Sequence, residues 1–120
     1  MFEGVFYFEI PVSDMERALA FYRATFECDL ERYDVDGYDM ALFPRAEGAA
    51  TGALAKGDVY IPAKTGPIIY FTVPDIDATL ARAVAAGGDI LYPKKDIGEL
   101  GFVGEFQDSE GNRIALSQPR

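Results

Sequence analysis

The side chains that could do chemistry in this sequence are restricted by the absence of histidine and by a single cysteine, Cys28. Without imidazole the chain cannot build a Cys-His couple or a Ser-His-Asp triad, and it cannot ligate haem through histidine. One cysteine also excludes an internal disulfide and a zinc finger. Any chemistry must therefore use carboxylates, guanidinium groups, phenols and hydroxyls.

Length and charge narrow the class of protein. The 120 residues fit one domain, and 11 Lys and Arg against 20 Asp and Glu give a net charge of −9. This charge repels phosphate backbones and anionic lipids, so neither nucleic acid nor a membrane is an expected partner. No apolar run approaches the ~20 residues of a membrane span, and the N-terminus does not resemble a secretory signal. We expect a cytoplasmic protein.

The elements that must position these side chains follow a β-α-β-β-β order in the first half. A strand over 5–12 precedes Ser13-Asp14, which can cap a helix with apolar residues at helical spacing. Asp36-Gly37 is typical of a hairpin turn, and Gly57 to Gly66 reads as a connector. The other predicted strands of this half are Leu30 to Val35, Tyr38 to Phe43 and Ala49 to Lys56.

The second half repeats the first with an offset of about 61 positions. Tyr7 to Val12 falls over Ile68 to Val73, Asp14 falls over Asp75, and Gly87-Gly88 can end the second helix. The remaining predicted strands are Ile90 to Tyr92, Phe102 to Gln107 and Arg113 to Ser117. We predict an α+β domain over 1–120, with module 1 at about 1–57, the connector at 57–66 and module 2 at about 67–120.

The residues that carry this pattern resemble the vicinal oxygen chelate superfamily of glyoxalase I, bleomycin-resistance proteins and extradiol dioxygenases. The most specific segments are Phe8 to Ala18, Phe21-Tyr22 and Gln107 to Leu116, and Gly37 to Phe43 is similar to the small lactoylglutathione-lyase-related branch. The resemblance implies two βαβββ modules that form a curved mixed sheet around a cavity. It also implies a homodimer, the commonest oligomer in general.

The resemblance also implies where a metal ion would be held in the metal-dependent members. Those positions fall here on Tyr7, Ile68 and Ala115, and on Ala53 or Leu54. Most of these side chains have no lone pair to offer, whereas a divalent cation needs several oxygen or nitrogen ligands. We therefore predict no metal ion and no other cofactor.

Strand alternation selects the side chains that would line the implied cavity. Glu9 is a candidate general base or hydrogen-bond acceptor, or else a structural partner of Arg113 or a solvated residue. Arg113 could bind a carboxylate or phosphate of a ligand through two hydrogen bonds, or it could be a solvent-exposed residue that follows a turn. Whether the two side chains meet is open. The full candidate ligand-binding set is Tyr7, Glu9, Tyr70, Thr72, Arg113 and Ser117.

Three other features have structural interpretations. Asp14 and Asp75 are expected to cap helices, and 108–112 is better explained as a hairpin turn than as a calcium loop. The segment 94–101 contains glycines and is either a lid over the cavity or a surface loop.

Three functions remain open from the sequence. The first is a small-molecule-binding protein without the metal centre of its family. The second is a metal-independent lyase or isomerase in which Glu9 is the general base. The third is an interaction protein whose cavity is filled and whose sheet edge or dimer face has the functional role.

Overall fold

Two successive groups of elements, each a strand, a helix and three strands, make up the computed structural model, which describes residues 1–120. Each group forms its own four-stranded sheet, in the orders β1-β4-β3-β2 and β5-β8-β7-β6. The predicted α+β fold with two βαβββ modules is confirmed. The elements are β1 (Tyr7–Pro11), α1 (Met15–Phe26), β2 (Glu31–Val35), β3 (Tyr38–Leu42), β4 (Thr51–Lys56), β5 (Tyr70–Thr72), α2 (Ile76–Ala85), β6 (Asp89–Asp96), β7 (Phe102–Gln107) and β8 (Arg113–Gln118).

Both helices begin where the sequence predicts. The Asp14 carboxylate accepts from the backbone N–H of Arg17, and that of Asp75 accepts from Ala78, each at 3.0 Å. These bonds satisfy one of the free N–H groups in each first turn, which confirms both aspartates as helix caps. After α2, Gly87 has φ of 104°, a value that glycine adopts without a steric penalty.

One hydrophobic core is shared by the two modules and lies on the helix side of both sheets. Helix α1 packs on β3 and β4, α2 packs on β6, β7 and β8, and the two helices contact each other. Phe21 of α1 and Phe106 of β7 are both buried, with ring centroids 5.6 Å apart. Because each such ring contributes about 1.5–3 kcal/mol on burial, this shared core holds the modules together. The opposite face of each sheet turns away from it.

Strand boundaries depart from the sequence prediction where pairing partners are missing. Strand β1 begins at Tyr7, which is the first residue of its register with β4, rather than at Val5. Val5 and Phe6 are unpaired and 78% and 81% exposed. Strand β5 is also shorter than predicted, although Ile69 and Val73 on either side of it still bond to the backbone of β8. Apolar residues with high β-propensity therefore predict where a strand lies, while pairing with the neighbouring strand determines its first and last residues.

Strand β6 extends well beyond the predicted Ile90 to Tyr92. Lys95 pairs with Val103 and Asp96 with Phe102, so the lid interpretation is wrong for 94–96, which belong to the sheet. The sequence obscured this extension because Pro93 interrupts the pattern. Proline is tolerated in an edge strand, and the register of β6 shifts between Tyr92 and Lys95, the stretch that contains Pro93.

A buried carboxylate in the turn between β7 and β8 connects the two modules. Asp108 is 2% exposed and accepts from the Tyr22 hydroxyl of α1 at 2.5 Å and from the Asn112 side chain at 3.0 Å. The same Asn112 amide donates to the backbone oxygen of Pro11 in β1 at 2.7 Å. The predicted turn at 108–112 is therefore confirmed, and its oxygens serve this network.

The same turn also caps the first helix. Glu110 accepts from the backbone N–H groups of Ser13 and Asp14, at 2.8 and 2.9 Å, and from Arg17 Nε at 2.7 Å. Burial by itself would raise the pKa of Glu110, but these donors outweigh it and lower the pKa to about 2. Glu110 is thus ionised at neutral pH and holds the start of α1 against module 2.

Neither helix of the fold has the length and apolar character to span a membrane.

Tyr22→Phe should lower the free energy of unfolding by about 1–3 kcal/mol, because Asp108 loses a donor that water cannot replace. Urea denaturation followed by circular dichroism would measure this. The matched control is Tyr38→Phe, since Tyr38 donates to Asp58 at the surface and its loss should cost less than about 0.5 kcal/mol. Equal effects of the two substitutions would contradict the structural role of the Tyr22 bond.

Candidate functional site

Glu9 lies on the face of β1 that turns away from the core, held by two tyrosines. The Tyr60 hydroxyl donates to Glu9 Oε1 at 2.8 Å, and the Tyr7 hydroxyl donates to Oε2 at 3.1 Å. Tyr7 is two positions away on the same strand, whereas Tyr60 comes from the connector. Each carboxylate oxygen has a second lone pair, so Glu9 can still accept from a ligand.

The two phenols around Glu9 are fixed as donors. The hydrogen bond to Glu9, followed by burial, raises the pKa of Tyr60 to about 12. Burial, and then hydrogen bonds to Tyr33 and Glu9, raise the pKa of Tyr7 further above its ordinary value. Both phenols therefore keep their protons at neutral pH and orient the carboxylate.

Aromatic side chains cover the rest of this face. Met40, Ala53 and Ala55 form its buried floor, with Ala53 directly opposite Glu9 in the register of β1 and β4. Tyrosines from β2, β3 and the connector pack over this floor, among them Tyr38 and Tyr60, whose rings meet edge to face at 5.6 Å. Tyrosine side chains therefore cover much of this face of the first sheet.

Arg113 lies at the start of β8 and is paired with a carboxylate of its own sheet. Its Nε and Nη2 donate to the two oxygens of Glu105 at 2.6 and 3.0 Å, and Glu105 is only 8% exposed. The structural pairing of Glu9 with Arg113 that the sequence allowed is therefore wrong, because Glu105 occupies that role. Two of the five guanidinium N–H donors are used in this pair, so the other N–H groups can still donate to a ligand.

Glu9 and Arg113 nevertheless line the same groove, which has a volume of about 260 Å³. The connector forms another wall of this groove through Ile61 and Pro67. The spacing of the two charged side chains is set by Asn112, which precedes Arg113 and binds the backbone of Pro11 in β1. Asn112 also accepts from the backbone of Ala63 in the connector at 3.0 Å. We call this the Glu9–Arg113 groove.

The other predicted site residues lie elsewhere. Tyr70 and Thr72 line a different and larger cavity, of about 650 Å³. Ser117 lies beside Thr72 in the parallel pair of β5 and β8 and lines neither space. Tyr7 donates a hydrogen bond to Glu9 but does not itself line the groove. Of the six residues chosen by strand alternation, Glu9 and Arg113 therefore line the groove, Tyr70 and Thr72 line the other cavity, and Tyr7 and Ser117 line neither.

Sequence reasoning missed three residues that hold the two charged side chains of the groove in place. Glu105 could have been found, since the hairpin register places it on the same face as Arg113 and diagonal to it. Asn112 was assigned only to a turn, and its bond to Pro11 spans 101 positions of sequence. Tyr60 lies in a connector without periodicity, so no local pattern indicated its contact with Glu9.

The residues of the chain do not form the donor set of a divalent metal centre. No group of three or more His, Cys, Asp or Glu side chains is arranged to hold a metal ion. Ala53 stands opposite Glu9, and Ala115 stands opposite Tyr70 in the second sheet. One carboxylate surrounded by phenols and alanines supplies too few ligands for a cation that takes four or more.

Glu9→Gln should shift the ionisation of one tyrosine from about pH 12 towards pH 10, because Tyr60 loses its charged acceptor. Ultraviolet absorbance of tyrosinate during an alkaline titration would detect it, with circular dichroism as a check on folding. Glu31→Gln, an exposed carboxylate on β2 of the same sheet, is the matched control. If both variants titrate like the parent protein, Tyr60 does not donate to Glu9.

Comparison with known proteins agrees with this architecture. Residues 4–116 match the family model described as the Glyoxalase/Bleomycin resistance protein/Dioxygenase superfamily. Putative glyoxylases named CFP32, from Mycobacterium bovis and Mycobacterium tuberculosis, are 29% identical over 116 residues, which cover 92% of this chain and 43% of theirs. The chain therefore spans less than half the length of these curated relatives.

Solved structures show the same fold. A glyoxylase/bleomycin resistance protein/dioxygenase domain from Frankia sp. EAN1pec matches with a TM-score of 0.76 at 18% identity, over 100% of both chains. TnmS3, an antibiotic binding protein from Streptomyces sp. CB03234, matches with a TM-score of 0.69 at 26% identity, over 99% of this chain and 98% of its own. The family model and the shared fold lead to one conclusion: this chain belongs to the glyoxalase/bleomycin resistance protein/dioxygenase superfamily.

Proposed function

We propose that this protein binds a small, amine-bearing organic molecule in the Glu9–Arg113 groove, without a metal ion. The observation that carries the proposal is that a carboxylate and a guanidinium from different sheets line one groove and keep free hydrogen-bonding capacity. A ligand ammonium group would donate to Glu9, and a ligand oxygen would accept from Arg113. Charge-assisted bonds of this kind are stronger than neutral ones.

Charge favours a cationic ligand over an anionic one. Glu9 makes no ion pair, whereas the charge of Arg113, the one basic residue that lines the groove, is neutralised by Glu105. The whole chain carries a net charge of −9, which attracts cations and repels anions at low salt. The ligand end next to Glu9 is therefore expected to be positive, and the end next to Arg113 to be an uncharged acceptor such as a hydroxyl or carbonyl.

The size and lining of the groove favour a compact ligand. Its volume of about 260 Å³ lies just below the ~300–1,000 Å³ of ordinary ligand pockets. Ile61, Pro67 and Ile114 supply apolar surface between the two charged residues. A single ring with a short side chain fits these dimensions. The similarity to TnmS3, an antibiotic binding protein, supports binding of an organic molecule by this fold.

Three molecules with one ring skeleton and different charge test the proposal: tyramine, N-acetyltyramine and 3-(4-hydroxyphenyl)propionate. Isothermal titration calorimetry at low salt should detect tyramine binding, about tenfold weaker binding of the neutral compound and no binding of the anion. Glu9→Gln should weaken tyramine binding at least about tenfold, or about 1.4 kcal/mol, because the charged acceptor is lost. Treatment with EDTA should change nothing.

The control for this experiment is Glu31→Gln, which removes an equal charge on β2, away from the groove. It should retain the affinity of the parent protein for tyramine. The proposal fails if tyramine does not bind, if the anion binds as well as the amine, or if the two glutamine variants behave alike. Loss of binding on EDTA treatment would overturn the metal-free part.

A second candidate function is a metal-independent isomerase or lyase with Glu9 as the general base. Its support is the similarity to the putative glyoxylases and the position of Glu9 in one groove with Arg113, whose free N–H groups could stabilise a developing oxyanion. The test incubates hydroxyacetone with the protein in deuterium oxide. If a proton next to the carbonyl is abstracted, deuterium replaces it, and the corresponding C–H signal disappears from the proton NMR spectrum. Exchange that is catalysed by the parent protein and abolished in Glu9→Gln would favour this candidate, whereas exchange equal to buffer would exclude it for this substrate.

The face of the second sheet that turns away from the core is exposed in a single chain. Tyr70 and Tyr92 on the second sheet are 54% and 58% exposed. A homodimer in which a second copy covers this face stays a prediction, as does the cytoplasmic location.

A further inference from the structure

A second cavity, larger than the Glu9–Arg113 groove, is separate from that groove. It measures about 650 Å³ and lies between the end of α1, the segment before β4, strand β5 and helix α2. Phe8 lines this cavity, and Phe8 and Glu9 point to opposite faces of β1 because side chains alternate along a strand. Ile69 is the one residue that lines both spaces. We call this the aromatic cavity.

Four phenylalanine rings form the wall of the aromatic cavity. Phe71 is at the centre, with its ring centroid 4.8 Å from Phe26, 5.4 Å from Phe43 and 5.6 Å from Phe8. Phe8, Phe26 and Phe71 are only partly buried, although they pack against the core. Rings held in contact with one another and open on one side offer a surface on which another flat ring can stack.

The charged groups at the cavity balance each other. Arg82 lies 3.5 Å from Glu27, and its Nε donates to the backbone oxygen of Thr25 at 2.9 Å. With this pair neutralised and the chain at −9 overall, nothing here attracts an anion. Tyr70 and Thr72 also line the cavity, at the edge of the second sheet that β5 forms.

We infer that the aromatic cavity is a second binding site, which takes an uncharged, flat molecule of fused aromatic rings. Its volume falls within the ~300–1,000 Å³ of small-molecule pockets, and its lining combines an apolar wall with a few polar groups, as such sites do. The rings of the ligand would stack against Phe71 and its neighbours. A carbonyl or hydroxyl of the ligand would lie towards the edge strand β5, next to the backbone of Tyr70 and Thr72. This site is independent of the amine-binding groove.

The only cysteine of the chain gives a direct report on this site. Cys28 lines the aromatic cavity and is partly buried there. Burial, with a smaller effect of Asp29, raises the pKa of its thiol, so alkylation should be followed above neutral pH. A molecule that fills the cavity should shield this thiol from reagents in solution.

The test uses Nile red, an uncharged fused-ring dye whose fluorescence rises in apolar surroundings, with the full chain. We expect saturable binding of one dye per chain. When the dye occupies about nine-tenths of the sites, iodoacetamide should alkylate Cys28 about tenfold more slowly than in the free protein. Ala49→Trp places a large side chain in the cavity and should weaken dye binding at least about tenfold. Phe71→Leu, which removes the central ring, should weaken it about fivefold.

Ala20→Trp is the matched control, since Ala20 is an exposed residue of α1 that does not line the cavity. It should bind Nile red with the affinity of the parent protein. Circular dichroism of each variant separates loss of the site from loss of the fold. Dye binding that is unchanged in both folded variants, or unchanged alkylation of Cys28 at saturation, would overturn the proposal and place the dye on the exposed apolar surface instead.

Discussion

The buried carboxylate of Asp108 is the constraint on which the relation between the two modules depends. A buried charge without partners is very costly, and Asp108 is satisfied by Tyr22, by Asn112 and by the backbone N–H groups of Glu110 and Asn112. Tyr22 belongs to the first module and the other donors to the second. Asn112 in turn binds Pro11 of β1. The modules are thereby held in one relative position as well as by their common apolar core.

The geometry of the candidate site follows from that position. Arg113 is next to Asn112, and Glu9 is two residues from Pro11, so the bond between Asn112 and Pro11 brings the two charged side chains to one groove. The helices occupy the space between the modules on the core side, and the faces that bear Glu9 and Arg113 are left open. A duplicated fold thus produces an asymmetric site, with a carboxylate on one sheet and a guanidinium on the other.

The two modules also show how the fold can be kept while its chemistry changes. In each module the first strand runs parallel to the last, and Val12 and Val73 donate equivalent bonds, to Ala55 and Ser117. In the same registers, Glu9 faces Ala53 and Tyr70 faces Ala115. The backbone pairing is therefore retained, while the side chains on the open face differ. Activity must be argued from those side chains and not from the fold.

The sequence by itself determined the element order, the duplication, both helix caps and the turn at 108–112, because each depends on residues close together in the chain. It also indicated Glu9 and Arg113 from strand alternation. Only the tertiary structure decided their partners, Tyr60 and Glu105, and the separation of Tyr70 and Thr72 into another cavity. The bond from Tyr60 to Glu9 spans 51 positions and depends on where the connector crosses the sheet. No local pattern encodes such a contact, since it follows from the way the shared core orients the two sheets.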